Sequence, residues 1–447
     1  MENITENRDV ILSGAKELKI CPAAGHCGGC IYQGVSYEEQ LRQKDKAVRK
    51  LLDKHDIDES VYLGMEPAIS CFGYRNKMEY TFGDLEKGGE LELGMHYKGR
   101  WMSIITTNEC QLVPPVFNRV LRAALDFCRE KGYRPYHRKT HEGLLRNLVV
   151  RCGVRSGELL INIVTASDGI NAAGTVNQTF DEEGFRQAML SIEKEFKDSA
   201  EASEWKIVGI LRTFNDSVAD AVIDEGTKVL YGRDWYNEEI LGLKFRVKAF
   251  AFFQTNIEAV ERLYSDVLEV VPDVSGKTVY DLYCGTGTIS QLLASRAKEV
   301  YGVEIVEDAV EAAVANTALN GITNCHYICG DVRKVLDEIP EKPDVIVVDP
   351  PRAGIHDKAV KMLCEYGINE IVYVSCNSKT LCINLDLFRE LGYGIKQIKA
   401  YDNFPMTKHV ETVCLLSNRK PDSYVHLNLK MEDYYRIKDA QKEQEKK

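Results

Sequence analysis

The chain has 447 residues, 44% of them hydrophobic and 28% charged, which is typical of a globular protein with two or three domains. It has neither an apolar run of the roughly 20 residues that a membrane span needs nor a secretory signal peptide, so a cytoplasmic protein is expected. In that compartment the 14 cysteines indicate metal binding or catalysis, and the net charge of −11 argues against a uniformly basic, nucleic-acid-binding surface.

Residues 1–20 form a polar leader that is predicted to be disordered, and residues 21–250 are predicted to form an α+β domain. Its first helix begins after Ser36, where Glu39 completes a capping box. Strand patterns follow in "LELGMHY", "NLVVRCGV" and "ELLINIVTA", the last two joined by a Gly-bearing hairpin turn. Residues 419–447 are a charged tail.

A cysteine cluster opens the α+β region. The segment "CPAAGHCGGC" has C-x5-C-x2-C spacing, and its glycines let the backbone wrap around an ion or cluster. A fourth ligand is supplied best by Cys110, which lies in a loop before two prolines. The predicted metal ligands are Cys21, Cys27, Cys30 and Cys110. This spacing alone suits zinc, with His26 as a further ligand, and a 4Fe-4S cluster equally well.

A basic stretch lies within the same region. Between Arg119 and Arg155 there are ten Lys or Arg residues and three acidic ones, with Tyr133, Tyr136, His137 and His141 among them. Basic residues interleaved with aromatic ones suit phosphate contact and base stacking. A solvated face without a partner is the equally weighted alternative for this stretch alone.

Residues 251–418 show regular alternation of strand and helix patterns, which predicts a doubly wound parallel sheet of the Rossmann-like type. The strands are read in "KTVYDLYC", "EVYGVEI", "CHYICGD", "DVIVVDPP", "EIVYVSC", "IKQIKAYD" and "VETVCLLS". The last two strands lie close together in the sequence and are expected to form an antiparallel edge.

Carboxylates follow successive strands of this predicted sheet. Asp281 precedes the glycine turn at Gly285, and Glu304 follows 19 residues later, where a ribose hydroxyl is commonly held. Asp331 and Asp349 follow the next two strands, Asp331 being placed for a purine amino group. Four carboxylates suit a cationic sulfonium and disfavour a pyrophosphate, and Ser290 replaces the third glycine of a dinucleotide fingerprint. S-adenosylmethionine is therefore favoured over NAD, although each carboxylate alone would more often be a helix cap.

Cys376 ends the strand "EIVYVSC", and Glu411 lies where the last strand begins. A thiolate and a carboxylate facing one cavity suit chemistry at carbon 5 of uracil. The thiolate adds to carbon 6, and the base removes the carbon 5 proton after methyl transfer. Cys376 as a buried apolar residue is the alternative, and His409 is interpreted as structural.

The ordered motifs "FFQTN", "DLYCGTG", "GVE", "DPPRAG", "VSCNS" and "FPMTKHVE" resemble those of the RNA uracil-C5 methyltransferases. The N-terminal cysteine spacing resembles the iron–sulfur branch of that family, which acts mostly on ribosomal RNA. The resemblance covers Cys21 to about Ser417. It implies an S-adenosylmethionine-dependent methyltransferase domain preceded by an α+β, iron–sulfur-bearing, RNA-binding domain.

The resemblance also implies residue roles. Cys376 would be the nucleophile and Glu411 the proton acceptor. Gln254, Tyr283, Glu304 and Asp349 would bind S-adenosylmethionine, and the four cysteines would hold a 4Fe-4S cluster, with zinc as the alternative. Two departures stand out: only twenty residues precede Cys21, too few for the TRAM domain of many relatives, and Ser378 stands where relatives usually have proline.

The sequence therefore predicts methylation of a uridine in 23S rRNA at C5 by a monomeric enzyme. The same reaction on tRNA is the first alternative. A non-catalytic RNA-binding assembly factor and an NAD-linked iron–sulfur oxidoreductase are alternatives from other classes. Without a TRAM domain, RNA binding is expected to rest on the stretch from Arg119 to Arg155.

Overall fold

A computed structural model describes residues 20–137, 139–169, 174, 176–197, 205–218 and 222–418. The predicted C-terminal tail and all of the predicted leader except Ile20 lie outside these residues. None of the helices in the described ranges is long and apolar enough to cross a membrane.

The first half of the chain supplies ten strands and three α-helices among the described residues. The strands are β1 (Tyr62–Glu66), β2 (Lys77–Gly83), β3 (Glu92–Tyr97), β4 (Arg100–Thr106), β5 (Leu145–Gly153), β6 (Glu158–Thr165), β7 (Lys206–Phe214), β8 (Thr227–Gly232), β9 (Trp235–Ile240) and β10 (Leu243–Lys248). The helices are α1 (Tyr37–Lys54), α2 (Pro115–Glu130) and α3 (Glu182–Lys197), and a short 3-10 helix spans Glu59–Val61.

The second half alternates strands and helices, as predicted. Its strands are β11 (Thr278–Leu282), β12 (Glu299–Glu304), β13 (Cys325–Cys329), β14 (Val345–Val348), β15 (Glu370–Ser375), β16 (Tyr393–Tyr401) and β17 (Glu411–Asn418). Its helices are α4 (Ile257–Val270), α5 (Thr288–Ala294), α6 (Glu307–Leu319), α7 (Val332–Val335), α8 (Asp357–Glu365) and α9 (Ser378–Glu390), and a 3-10 helix spans Leu336–Glu338.

Two large sheets organise these elements. A seven-stranded sheet has the order β4-β3-β2-β5-β6-β7-β8, and a two-stranded sheet joins β9 and β10. An eight-stranded sheet has the order β1-β16-β17-β15-β14-β11-β12-β13. Every residue of β11 and of β14 is buried, which explains their continuous apolar pattern, since helices cover both faces of a doubly wound sheet. The predicted Rossmann-like fold is confirmed.

The last two strands are antiparallel, because β17 pairs antiparallel with both β15 and β16. They do not form the edge of the sheet, since β1 pairs in parallel with β16. The strand Tyr62–Glu66 thus belongs to the larger sheet, although it lies within the residues that the sequence patterns assigned to the first domain. The segment before β2 therefore crosses the predicted boundary between the two domains.

The helix α1 begins where the capping box predicts, with the Ser36 hydroxyl accepting from the Glu39 N–H at 3.4 Å. Its Lys44 side chain is buried and forms an ion pair of 2.6 Å with Asp402. The same ammonium donates to the carbonyls of Phe404 and His409. Burial lowers the pKa of Lys44 and raises the pKa of Asp402, while their mutual attraction acts in the opposite direction. The amino-terminal helix therefore holds the loop that leads into β17.

We expect Lys44→Met to lower the free energy of unfolding by about 3–5 kcal/mol, because it leaves the Asp402 carboxylate buried without a counter-charge. The midpoint of urea denaturation measures this change. Lys298→Met is the matched control, since it removes an exposed ion pair with Glu341 and should cost less than about 1 kcal/mol. Equal shifts for the two variants would show that the buried pair does not hold the loop.

Candidate active site

Most of the predicted site residues meet at the carboxyl edge of the eight-stranded sheet. Tyr283 follows β11, Glu304 ends β12, and Asp349 follows β14. The pairing of Leu282 with both Val303 and Val348 brings these strand ends side by side. Such an edge is where open α/β sheets bind ligands.

The glycine turn is fixed by Glu304. Its carboxylate accepts from the Gly285 N–H at 3.0 Å, and its other oxygen accepts from the N–H groups of Ile305 and Val306. Gly285 and Gly287 have φ values of 53° and 72°, which glycine adopts without strain. Tyr283 has a φ of 64°, an uncommon conformation for a tyrosine and one that often marks functional sites.

Asp281 lies just below this edge and is fully buried. One carboxylate oxygen accepts from the Ser290 hydroxyl at 2.5 Å, and the other has no hydrogen-bond partner among the described residues. Burial raises the pKa of Asp281 to about 7. Ser290, which the sequence marked only as a missing glycine, thus anchors a carboxylate beside the glycine turn.

Asp349 and Glu411 add two further carboxylates. Burial raises the pKa of Asp349 well above its usual value, and the charges of Glu411 and Asp281 raise it further. Burial raises the pKa of Glu411 to about 7, and the Arg352 guanidinium opposes that shift. Because the charges of both neighbours act on Asp349, a cation beside this carboxyl group would be stabilised.

Asp331 is used differently. Its side chain caps α7 by accepting from the Arg333 N–H, and it forms an ion pair with the Arg333 guanidinium. The side-chain hydrogen bond from the Arg333 guanidinium, and then the bond from its backbone N–H, lower the pKa of Asp331 to about 2. A helix-cap role is therefore visible for Asp331, and its proposed contact with a purine stays a prediction.

Gln254 reaches the site from the segment before α4. Its side-chain amide donates to the Tyr264 hydroxyl at 3.3 Å. Its backbone carbonyl accepts from the Asn76 side-chain amide at 3.0 Å. Burial raises the pKa of Tyr264 well above its usual value, and the charges of Asp349 and Asp281 raise it further. Asn76 precedes β2, so this contact joins the two large sheets close to the predicted cofactor residues.

Cys376 and Glu411 face each other across two paired strands. Ser375, the last residue of β15, pairs with Thr412, the second residue of β17. Cys376 directly follows β15, and continuing the antiparallel register by one residue brings it opposite Glu411. Residues opposite each other in such a pair have Cβ atoms roughly 5 Å apart. The sequence predicted that both residues lie at one sheet edge, and the strand register places them there.

Arg352 is a residue whose role the motif reading missed, although it lies in the quoted "DPPRAG". Burial raises the pKa of the Cys376 thiol to about 11, Glu411 and Asp349 raise it as well, and the charge and hydrogen bond of Arg352 oppose the shift. An Arg352 nitrogen lies 3.5 Å from Nδ1 of His409. The guanidinium therefore favours the thiolate. The position of Arg352 directly after the two prolines that follow β14 was the sequence signal that could have marked it as a site residue.

The turn after Cys376 is a helix start. Asn377 is the N-cap of α9, and its side chain accepts from the Lys379 N–H at 3.2 Å. Its amide also donates to the Arg352 carbonyl at 3.0 Å. Ser378 is the first helical residue, a position where proline and serine are both tolerated because the N–H has no intrahelical partner.

The four predicted metal ligands line one small cavity of about 40 Å³, namely Cys21, Cys27, Cys30 and Cys110. Burial raises the pKa of Cys30 to about 12 and that of Cys110 to about 11, and neighbouring thiols raise both further. The described residues nevertheless contain no group of three or more His, Cys, Asp or Glu side chains arranged to hold a metal ion. The iron–sulfur and zinc assignments are therefore not confirmed.

Much of the basic stretch between Arg119 and Arg155 is used inside the protein. Arg146 and Arg151 are buried and donate to backbone carbonyls. Ion pairs engage Arg129, Lys131 and Arg155. Arg138 lies outside the described residues. The stretch is thus not one continuous basic face. Half of its cations pair with carboxylates, or are buried against backbone carbonyls, that distant segments of the chain supply.

Comparisons with known proteins agree with this arrangement. The family described as tRNA (uracil-5-)-methyltransferase matches residues 218–341 and 336–419. An uncharacterized RNA methyltransferase of Caldanaerobacter subterraneus subsp. tengcongensis is 47% identical over 398 residues, covering 89% of this chain and 84% of the relative. One of Clostridium acetobutylicum is 46% identical over 408 residues, covering 91% of this chain and 85% of the relative.

A solved structure extends the likeness to three dimensions. The crystal structure of Pyrococcus abyssi tRNA (uracil-54, C5)-methyltransferase in complex with S-adenosyl-L-homocysteine is 27% identical, with a TM-score of 0.67. The similarity covers 87% of this chain and 86% of that chain. The chain belongs to the RNA (uracil-5-)-methyltransferase family and has its Rossmann-like methyltransferase fold.

Proposed function

We propose that the protein methylates C5 of a uridine in 23S rRNA, with S-adenosylmethionine as methyl donor, Cys376 as nucleophile and Glu411 as base. The placement of Cys376 opposite Glu411 on paired strands carries the proposal. The same reaction on tRNA is the second candidate, and the similarity to the Pyrococcus abyssi tRNA enzyme favours it. The cysteine spacing, which resembles that of the ribosomal RNA enzymes, favours 23S rRNA.

The chemistry requires both side chains in sequence. The Cys376 thiolate forms a bond to C6 of uracil, and the displaced electron pair makes C5 nucleophilic. S-adenosylmethionine supplies the methyl group that C5 then takes up. Glu411 accepts the C5 proton, the C5–C6 double bond re-forms, and the bond between C6 and Cys376 breaks. Arg352 stabilises the Cys376 thiolate before it adds to C6 and again when it leaves C6.

The residues at the sheet edge fit the methyl donor. Burial raises the pKa of Asp281, Asp349 and Glu411, and the charges of Glu411 and Asp281 raise the pKa of Asp349 further. A sulfonium cation beside Asp349 and Asp281 would therefore be stabilised. Glu304 is placed for the ribose, next to the turn at Gly285. We propose that the donor is bound by Asp281, Gly285, Glu304 and Asp349 together with Gln254, Tyr283 and Asp331.

We propose that the four cysteines hold a 4Fe-4S cluster, with zinc as the less favoured occupant. Four thiols around one cavity match the ligand set of either. The hydroxyl of Thr107 lines the same cavity and is buried without a hydrogen-bond partner among the described residues, as expected beside an acceptor sulfur. Four protein ligands leave no open position, so the group would have a structural role. Iron and sulfide content after anaerobic purification tests this proposal.

A trapping experiment tests the reaction. Protein purified anaerobically is incubated with S-adenosylmethionine and with transcripts of 23S rRNA or tRNA that contain 5-fluorouridine. Fluorine cannot leave as a proton, so the methylated RNA should remain attached to Cys376, where peptide mass spectrometry finds it. Trapping of tRNA instead of 23S rRNA would support the second candidate, and no adduct with either RNA would contradict the proposed reaction.

The rate should depend on pH through Glu411. Its carboxyl must be ionised to accept a proton, so the single-turnover rate of tritium release from 5-tritiated uridine should fall below its pKa of about 7, by about tenfold per pH unit. Adduct formation by Glu411→Gln does not need this base and should show no bend near pH 7. A bend in both profiles would assign the titration to another group.

A further inference from the structure

A cavity lies on the seven-stranded sheet, and none of the residues assigned to catalysis or to the methyl donor lines it. Its volume is about 460 Å³, within the range of small-ligand sites. The end of β2, the strand β4 and the residues Pro135, Tyr136, His137 and Lys139 surround it. Neither the relatives nor the proposed reaction assigns it a role.

The charges around this cavity favour an anion. Four cationic side chains line it, against two acidic ones, in a chain whose net charge is −11. Lys87, Arg100 and Lys139 are exposed, so they can contact a ligand from solvent. The Asp84 carboxylate, one of the two acids, already accepts from the Gly88 N–H at 2.8 Å. The local charge suits a phosphate.

A fixed aromatic ring lies beside these cations. The Arg146 guanidinium lies 4.2 Å from the centroid of the Tyr136 ring. Arg146 itself is buried and donates to the carbonyls of Asn215 and Ser217 at 2.9 Å and 2.7 Å. The Tyr136 hydroxyl bonds to Nδ1 of His141 at 2.9 Å. One face and the hydroxyl of the ring are thus held, which makes the other face of Tyr136 a rigid platform for stacking a base.

The strands β2 and β5 connect this cavity to the candidate active site. At one end of the pair, Arg151 donates to the Ala251 carbonyl and Asn76 donates to the Gln254 carbonyl. At the other end, Thr81 pairs with Asn147, and both residues line the cavity. Five residues of strand separate the two ends, a distance of roughly 17 Å. That is about five stacked nucleotides of one RNA strand.

We propose that the cavity binds an unstacked nucleotide of the RNA substrate, several positions along the strand from the methylated uridine. The base would stack against Tyr136, and the phosphates would contact Lys87, Arg100 and Lys139. The proposal rests on the proposed function only in taking RNA as the substrate. It gives the α+β half of the protein a discrete RNA-reading site, in place of the continuous basic stretch that the sequence predicted.

The first test compares RNA binding by two double variants. Lys87→Met/Lys139→Met removes two cations of the cavity, and Lys342→Met/Lys396→Met removes two exposed cations towards the amino ends of β14 and β16. The probes are unmodified 23S rRNA and tRNA transcripts. The cavity variant should bind the preferred transcript about tenfold more weakly, and its slope of log affinity against log salt should fall by roughly 1.4. The control should stay within twofold, and S-adenosylmethionine affinity should not change in either.

The second test locates the RNA directly. Ultraviolet crosslinking of the wild-type protein to 4-thiouridine-substituted transcript should yield a crosslinked peptide that contains Tyr136. Crosslinks confined to the eight-stranded sheet, or an affinity of the cavity variant within twofold of the control, would overturn the proposal. If 5-fluorouridine RNA is trapped while the cavity variant binds normally, only this proposal fails. If no RNA is trapped while the cavity variant loses RNA affinity, the proposed reaction fails and the cavity site stands.

Discussion

Glu411→Gln should convert the protein from a catalyst into a trap for ordinary uridine RNA. The variant keeps Cys376 and the methyl-donor residues, so addition to C6 and methyl transfer to C5 should proceed. Without a carboxylate opposite Cys376, the C5 proton stays and the thiolate cannot leave. We expect a covalent protein–RNA complex that survives a denaturing gel, and turnover reduced by about a thousandfold or more.

Glutamine is close in size to glutamate, so the variant tests the base and not the packing around it. Glu411 is only 9% exposed, so little water can reach the C5 proton to replace Glu411 as the base. Asp349, whose pKa the charge of Glu411 raises, is the nearby carboxylate that could replace it. A Glu411→Gln protein that turns over normally without a covalent complex would assign proton removal to another group.

Local sequence patterns were sufficient to predict the methyltransferase fold and its ligand edge. The alternation of strands and helices predicts a parallel sheet, and every strand of such a sheet presents its carboxyl end at one side. The spacing from Gly285 to Glu304 predicted that both residues lie at this edge, where a 3.0 Å hydrogen bond joins them, and the contact of Glu304 with a ribose stays a prediction. Cys376 and Glu411 were brought together by the same strand-order argument.

Contacts between distant segments had no such local signal. The strand β1 has no alternating pattern, and its partner β16 lies more than 300 residues further along the chain. Lys44 lies in a helix rich in charged residues, where nothing marks it as the one that pairs with a buried aspartate. Arg146 and Arg151 counted as basic surface in the sequence because burial depends on carbonyls supplied by other segments.

Cys376→Ala should abolish methylation while leaving the binding of S-adenosylmethionine and RNA within about twofold of wild type. C5 of uracil is a poor nucleophile until a thiolate adds to C6, so the lost bond cannot be replaced by positioning alone. We expect a fall in kcat of about 10⁴-fold or more, measured as transfer of a labelled methyl group to RNA in a single turnover.

The matched control is Cys364→Ala, which removes a half-buried thiol from α8 without touching the sheet edge. Its activity should stay near that of the wild type, and it should still form the adduct with 5-fluorouridine RNA. A Cys376→Ala protein with activity within tenfold of this control would exclude covalent addition by that thiol. If Cys376→Ala loses both its activity and the adduct but keeps its RNA affinity, then Cys376 acts in the reaction and not in folding. Burial and the charge of Glu411 raise the pKa of the Cys376 thiol and Arg352 lowers it, so the thiol should stay reactive when Glu411 is replaced by glutamine.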